Sequence, residues 1–258
     1  MNKKSEWFID WFSSQDYLDL YKHRDDNDAK KIVSLITKHI KLEKDAKVLD
    51  LPCGNGRHSL LFAKNGFDVT GIDLSDFLIC QAKKKLAKEY SAYKSKLHFE
   101  NGDMRNFSGK LRHKNKFSLA VNLFTSFGYF EKHSENEKVI RSISNSLQSN
   151  GWFVFDFLNR EYLRRNLVSF DKKKVNGKLI LQHRYIKGNF IYKKIFLIGK
   201  SLADVNEFTE RVYLYSLKQM EKMFERSSLK IKNIFGDYAG SKFNIKASPR
   251  LIIFARKN

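Results

Sequence analysis

Residues 47 to 75 read "KVLDLPCGNGRHSLLFAKNGFDVTGIDLS", and the fold turns on how this stretch is read. A short apolar run meets a glycine-punctuated turn, a helical pattern follows, and a second apolar run ends on an acid. A strand feeding directly into Gly-x-Gly and then a helix brings backbone N–H groups close to a ligand. Pro52 fixes φ where the strand must turn, and its missing N–H matters little there. Gly66 stops the helix, and Ser75 is placed to cap the next one, "SDFLICQAKKKLAKEY".

The same beat continues outward. "KLHFENGD" and "KFSLAVNLF" read as strands, "SENEKVIRSISNSLQSNG" as a helix with a glycine stop, and "GWFVFDFLN" as another buried strand. Strands alternating with helices predict an α/β fold with a doubly wound, mostly parallel sheet, its ligand along the strand C-terminal ends. After residue 166 the rhythm changes. "GKLILQHRYIKGNFIYKKIFLIGK" reads as two strands around a turn at Lys187-Gly188-Asn189, and "NEFTERVYLY" as a third. No helix separates them, so they are expected to pair as an antiparallel three-stranded cover outside the main sheet. "SLKQMEKMFERSS" is again helical, and two closing strands are expected as an antiparallel pair at one end of the sheet.

At 258 residues with 42% hydrophobic and 14% aromatic content, the chain has the makings of a full globular core. It has no apolar run of eighteen residues, and its N-terminus is interrupted by charge, so a cytoplasmic protein with no membrane anchor is expected. Cys53 and Cys80 give neither a disulfide framework nor metal-ligand spacing, so no metal is expected. The net charge is +21, and the last 99 residues hold 23 Lys/Arg against 8 Asp/Glu. That surface suits an anionic partner such as RNA or an acidic protein, or reflects a general lysine bias.

The details of the glycine turn narrow its ligand. No Gly-Lys-Ser/Thr follows, which removes the phosphate-cradling loop of NTPases. The dinucleotide fingerprint wants glycine or alanine where Ser59 stands. Asp50, at the strand end, is poorly placed beside a pyrophosphate and well placed near an ammonium group. Asp73, 23 residues on, is where an acid accepts hydrogen bonds from ribose hydroxyls. Either acid alone also reads as a helix cap.

"VLDLPCGNGRH", "VTGIDLS" and "NGDMRNF" together resemble the first three motifs of class I S-adenosylmethionine-dependent methyltransferases. "NLFTSFGYF", "SNGWFVFDFLNRE" and the closing "SPRLIIFARK" are similar to a bacterial small-molecule subgroup, so the likeness covers essentially the whole chain. It implies a seven-stranded Rossmann-like domain at 46–166 and 216–258, an N-terminal helical lid at 1–45 and the inserted β cover at 167–215. It also implies S-adenosylmethionine as cofactor, with S-adenosylhomocysteine as product. Asp50, Cys53, Gly54 and Gly56 would line the methionine and ribose, and Asp73 with Leu74 would hold the ribose hydroxyls. Asp103 would accept from the adenine amino group, with the Met104 amide on a ring nitrogen. Asn122 and Leu123 would approach the sulfonium, and Tyr21 and Arg24 would meet the carboxylate end. Asn55 stands where the family more often has threonine or serine.

The chemistry implied is transfer of the sulfonium methyl to a nitrogen or oxygen of a small-molecule acceptor. Asn122-Leu123-Phe124-Thr125 lacks the Pro-Pro-Tyr/Phe pattern of enzymes that methylate base amines. Tyr129 is the candidate catalytic residue, to orient or deprotonate the acceptor. Asp156, His183, Arg211 and Tyr213 are candidates for holding it, alongside Arg184. The alternatives are an RNA or acidic-protein acceptor, a non-catalytic cofactor-binding protein, and a dinucleotide oxidoreductase. The aromatic segment with Trp7, Phe8, Trp11 and Phe12 suits either a lid or a dimer contact.

Overall fold

A computed structural model describes residues 6–21, 26–109, 113–199 and 204–258. Its helices are α1 (Trp7–Phe12), α2 (Gln15–Tyr21), α3 (Asp26–His39), α4 (Arg57–Lys64), α5 (Asp76–Lys88), α6 (His133–Ser146), α7 (Arg160–Arg165) and α8 (Leu217–Arg226). The main sheet holds β1 (Lys47–Asp50), β2 (Asp68–Asp73), β3 (Leu97–Asn101), β4 (Phe117–Asn122), β5 (Leu147–Leu158), β10 (Leu229–Phe235) and β11 (Arg250–Lys257). A second sheet holds β6 (Phe170–Val175), β7 (Lys178–Lys187), β8 (Phe190–Ile198) and β9 (Val205–Tyr213).

The main sheet runs β10-β11-β5-β4-β1-β2-β3. β5, β4, β1, β2 and β3 are parallel, while β11 is antiparallel to both its neighbours. Strands buried on both faces read as continuous apolar runs, and Val48, Leu49, Leu119, Ala120 and Val121 are all fully buried. The chain winds from β1 out to β3, then returns to β4 beside β1. That reversal opens a crevice at the C-terminal ends of β1 and β4, where ligands of such sheets sit.

Local signals behave as the chemistry requires. Ser75 Oγ accepts from the Leu78 amide at 3.2 Å and caps α5. Gly66, at φ 92°, follows α4. α6 stops before the expected glycine, because Leu147 is fully buried and pairs with Phe117 in β5.

The cover has four strands, not the expected three. Its order is β6-β7-β8-β9, and β6 was hidden in "FDKKKV", a lysine run that looks like a solvated loop. The hairpin signal was present: Asn176 and Gly177, at φ 49° and 80°, form the two-residue turn between β6 and β7. On one face of this sheet Ile180, Ile195 and Leu197 form a buried cluster with Trp11 and Leu20. Trp7 and Phe12 meet the Tyr129 ring at 5.2 and 5.7 Å, and Phe8 meets Phe130 at 5.5 Å. The aromatic N-terminal segment therefore packs inside the chain, between the main sheet and its cover.

Candidate active site

The turn after β1 is tied to both neighbouring strands. The Leu51 amide donates to Val121 of β4 at 3.0 Å, and the Cys53 amide to Ile72 of β2 at 2.9 Å. Gly54 and Gly56 both take left-handed backbone, at φ 55° and 82°. At Gly56 space is also lacking, since a Cβ would lie 2.4 Å from the Phe99 ring. At Gly54 a Cβ would meet nothing within 4 Å, so this side of the turn is an open cradle.

Asp73 closes the cradle. Its Oδ2 accepts from the Gly54 amide at 2.8 Å and its Oδ1 from the Ser75 amide at 2.9 Å. One carboxylate thus fixes the glycine turn and starts the next helix, and each oxygen keeps a second lone pair. Burial raises its pKa above the usual carboxylate range, opposed by these amides. Asp50 is buried behind the turn, where Ser59 Oγ donates to its Oδ2 at 2.6 Å. Its Oδ1 accepts from no group among the described residues, and burial lifts its pKa to about 7. The Cys53 thiol is buried and pushed well above its ordinary pKa, which suits packing under the turn rather than nucleophilic chemistry. His58 stands against Phe124 at 4.8 Å, and burial, with Arg57 beside it, pushes its pKa down to about 3.

On the side expected to take the adenine, the carboxylate is engaged by a neighbouring guanidinium. Asp103 lines the crevice with Met104, but its two oxygens accept from Arg105 Nε at 3.1 and 2.9 Å and from Nη2 at 2.6 Å. Arg105 in turn reaches Glu6 and Glu135. Tyr21 lines the crevice too, its hydroxyl donating to Glu210 and accepting from Lys193 at 2.6 Å. Arg24 lies outside the described residues.

At the β4 exit, Asn122 is buried and is not among the lining residues. Its Nδ2 donates to the carbonyls of Leu51 at 2.9 Å and Ser126 at 3.1 Å, joining the two strand ends. Leu123 and Tyr129 do face the crevice. Phe124 and Thr125 both take left-handed φ, 58° and 65°, which costs a residue with a Cβ about 1–2 kcal/mol. Asp156, expected to hold an acceptor, is fully buried behind this turn and accepts from Arg250, Tyr238 and the Phe124 amide.

On the cover, His183, Arg211 and Tyr213 do not line the crevice. Successive side chains of a strand point to opposite faces, and these three lie on the face away from the site. Tyr213 packs instead against His133 at 4.4 Å, and Arg211 pairs with Glu131 at 3.0 Å. Their neighbours Gln182, Arg184, Glu210 and Val212 line it, with Lys193 from β8. Both faces of β7 carry apolar residues, so the sequence alone did not reveal which parity faces inward.

Together these walls enclose about 1320 Å³. Among the described residues no cluster of His, Cys, Asp or Glu could hold a metal ion, and no helix is long and apolar enough to cross a membrane. The open side of Gly54 and the remaining lone pairs of Asp73 fit a nucleoside that carries hydroxyls, whereas Asp50, expected to line the methionine and ribose, is fully buried behind the turn and does not line the cavity.

Residues 42–209 match the family described as a methyltransferase domain. The chain is 26% identical over 201 residues to a dTDP-3-amino-3,4,6-trideoxy-alpha-D-glucopyranose N,N-dimethyltransferase from Streptomyces venezuelae, covering 76% of this chain and 80% of the relative. Among solved structures, an S-adenosylmethionine-dependent methyltransferase from Clostridium acetobutylicum superposes with a TM-score of 0.76 at 18% identity, over 94% of this chain and 96% of the other. An S-adenosylmethionine-bound amino pentose methyltransferase from Micromonospora echinaspora does so with a TM-score of 0.68 at 18% identity, over 95% and 98%. With its family match spanning most of the sheet and its cover, the chain belongs to the methyltransferase-domain family, as a class I enzyme dependent on S-adenosylmethionine.

Proposed function

We propose that the chain methylates a nitrogen or oxygen of a small-molecule acceptor held between the strand ends and the four-stranded cover. One observation carries this reading: a single cavity runs from Gly54, Asp73 and Met104 to Gln182, Arg184 and Lys193. A site for one drug-sized ligand occupies about 300–1,000 Å³, and 1320 Å³ leaves room for a second molecule beside the cofactor. The amino-sugar nucleotide acceptor named for the Streptomyces relative favours an amine nitrogen.

When bound, the cofactor supplies an electrophilic methyl on sulfonium. The chain's part is placement. Gly54 and Asp73 would hold the ribose end, Asp103 and Met104 the adenine end, and Leu123 the approach to the transfer edge. Tyr21 would stand at the methionine end through its bonds to Glu210 and Lys193. Tyr129, packed by Trp7, Phe8 and Phe12, would orient the acceptor by its ring, since its hydroxyl is engaged with the Thr125 carbonyl at 3.1 Å. An acceptor amine would donate its lone pair to the methyl carbon as the methyl–sulfur bond breaks and its electron pair leaves with S-adenosylhomocysteine, and the proton released from the methylated nitrogen passes to solvent. Closing a cavity of this kind around an aligned pair lowers the barrier chiefly through orientation.

The test is a calorimetric titration with S-adenosylhomocysteine, using NADH as control, followed by mass-spectrometric assay of methyl transfer to dTDP-3-amino-3,4,6-trideoxy-α-D-glucopyranose. Binding of the first ligand alone, with a mass gain on the sugar nucleotide, supports the reading. Binding without transfer to any amine or hydroxyl acceptor supplied would move the chain to a cofactor-binding role.

A further inference from the structure

Two stretches have no role in the reading above: "FDFLN" at 155–159 and "SPRL" at 248–251. The fold joins them. Asn159 Nδ2 donates to the Ser248 carbonyl at 2.7 Å, and Asp156 Oδ1 accepts from Arg250 Nε at 2.8 Å and Nη2 at 2.7 Å. Asp156 Oδ2 accepts from the Phe124 amide and the Tyr238 hydroxyl, each at 2.9 Å. Its main-chain carbonyl accepts from the Thr125 amide at 3.0 Å. Arg250 Nη2 then continues to Thr125 Oγ1 at 3.0 Å.

What this clamp grips is the strained turn. Phe124 and Thr125 are adjacent, neither is glycine, and threonine is β-branched, yet both sit in the left-handed region. Such a pair persists where surrounding bonds over-determine it, and strain of this kind collects at working sites. The turn passes the constraint on, because the Thr125 carbonyl accepts the Tyr129 hydroxyl at 3.1 Å. Phe124, Thr125, Tyr129 and one edge of Arg250 face the cavity, whereas Asp156 is fully buried behind them. An ion pair whose carboxylate is fully buried adds little stability over apolar packing, so holding a geometry is the better account of its presence here.

We propose that Asp156 and Arg250 are positioning residues for methyl transfer. They hold Phe124 and Thr125 in the left-handed turn and, through the Thr125 carbonyl, set the Tyr129 ring at the cavity wall. The proposal rests on the methyl-transfer reading of this cavity.

The experiment compares wild type with Asp156→Asn and Arg250→Lys in the full chain, with two readouts. Amide hydrogen exchange is followed on residues 123–130 against peptides from β1 and β2. Exchange at Phe124 and Thr125 is expected to quicken about tenfold while the β1 and β2 peptides keep their rates, the mark of a local opening. Methyl transfer to the amino-sugar nucleotide above is expected to lose about tenfold to a hundredfold in kcat, with KM for S-adenosylmethionine held. Adding Thr125→Gly to Asp156→Asn is expected to recover part of the lost kcat, since glycine enters the left-handed region without a steric penalty. Unchanged exchange at Phe124 and Thr125 in both variants overturns the proposal. So does a lowered melting temperature with kcat intact, which would leave the pair a purely structural role. If wild type does not methylate the sugar nucleotide, the acceptor assignment fails by itself, and the exchange readout still decides whether the pair holds the turn.

Discussion

Asp50 and His58 sit on either side of the glycine turn with opposite departures from ordinary ionisation, and their effects on stability should cancel until one is removed. Burial lifts Asp50 to about 7 and pushes His58 down to about 3. Between about pH 4.5 and 6.5 the folded chain therefore keeps a proton on Asp50 that the unfolded chain releases. Over the same range the unfolded chain takes up a proton on His58 that the folded chain refuses. Stability rises with pH where the unfolded state binds more protons and falls where the folded state does. The His58 contribution is therefore lost as pH drops below about 6.5, the ordinary imidazole value, while the Asp50 contribution grows as pH drops below about 7. Each amounts to nearly one proton, about 1.4 kcal/mol per pH unit, or roughly 2 kcal/mol over the window once partial titration at its ends is allowed for.

His58→Gln should then make the chain more stable at pH 4.5 than at 6.5, relative to wild type, by roughly 2 kcal/mol. Asp50→Asn should do the reverse. Urea unfolding at pH 4.5, 5.5 and 6.5 measures this, and taking each variant against wild type at the same pH removes the other titrating groups. If both variants track the wild-type pH dependence, these two groups are not held in the buried, oppositely shifted states described.

Asp73→Ala should weaken S-adenosylhomocysteine binding by about 1–3 kcal/mol, because ribose acceptors are lost and the Gly54 and Ser75 amides are orphaned; unchanged affinity in a folded sample would remove the ribose assignment. Gly56→Ala should lower the melting temperature and cofactor affinity together, since its Cβ lands on the Phe99 ring, with Phe99→Ala in the same chain restoring part of both. Arg184→Ala should raise KM for the acceptor and His183→Ala should not, the two lying on opposite faces of β7; steady-state kinetics on the pair separates the faces, and equal effects would contradict the parity.

The main sheet was legible because its signals are local and redundant. The apolar run of β1, the two glycines and the acid ending β2 each point to the same strand–turn–helix unit, and cap residues such as Ser75 do their work within one turn. The cover was harder to read. β6 has two apolar residues at its ends and three lysines between, and its pairing is set by β7 rather than by its own pattern. The parity of β7 depends on α1 and α2, which lie far away in sequence and bury Ile180 rather than Leu181. Asp103 and Asp156 show a related limit. A carboxylate at a strand end is visible in the sequence, but its partners, Arg105 and Arg250, are chosen by three-dimensional packing, which buries Asp156 and leaves Asp103 on the crevice wall.

The bond from Trp11 Nε1 to Glu210, at 2.7 Å, joins residues 199 apart in the chain. One wall of the reaction chamber is therefore borrowed from a segment that can dock only after β8 and β9 have formed their hairpin. Contacts of such long sequence separation form late and slowly. In a folding chain the bonds of Cys53 to Ile72 and of Gly54 to Asp73 join residues within twenty of one another and can form early, while the roof and its aromatic lining arrive last. Cofactor captured by the half-built protein would meet an open cleft where water has free access. Enclosure, and with it any discrimination between acceptors, is a property the molecule acquires only at the final docking of its N-terminal helices.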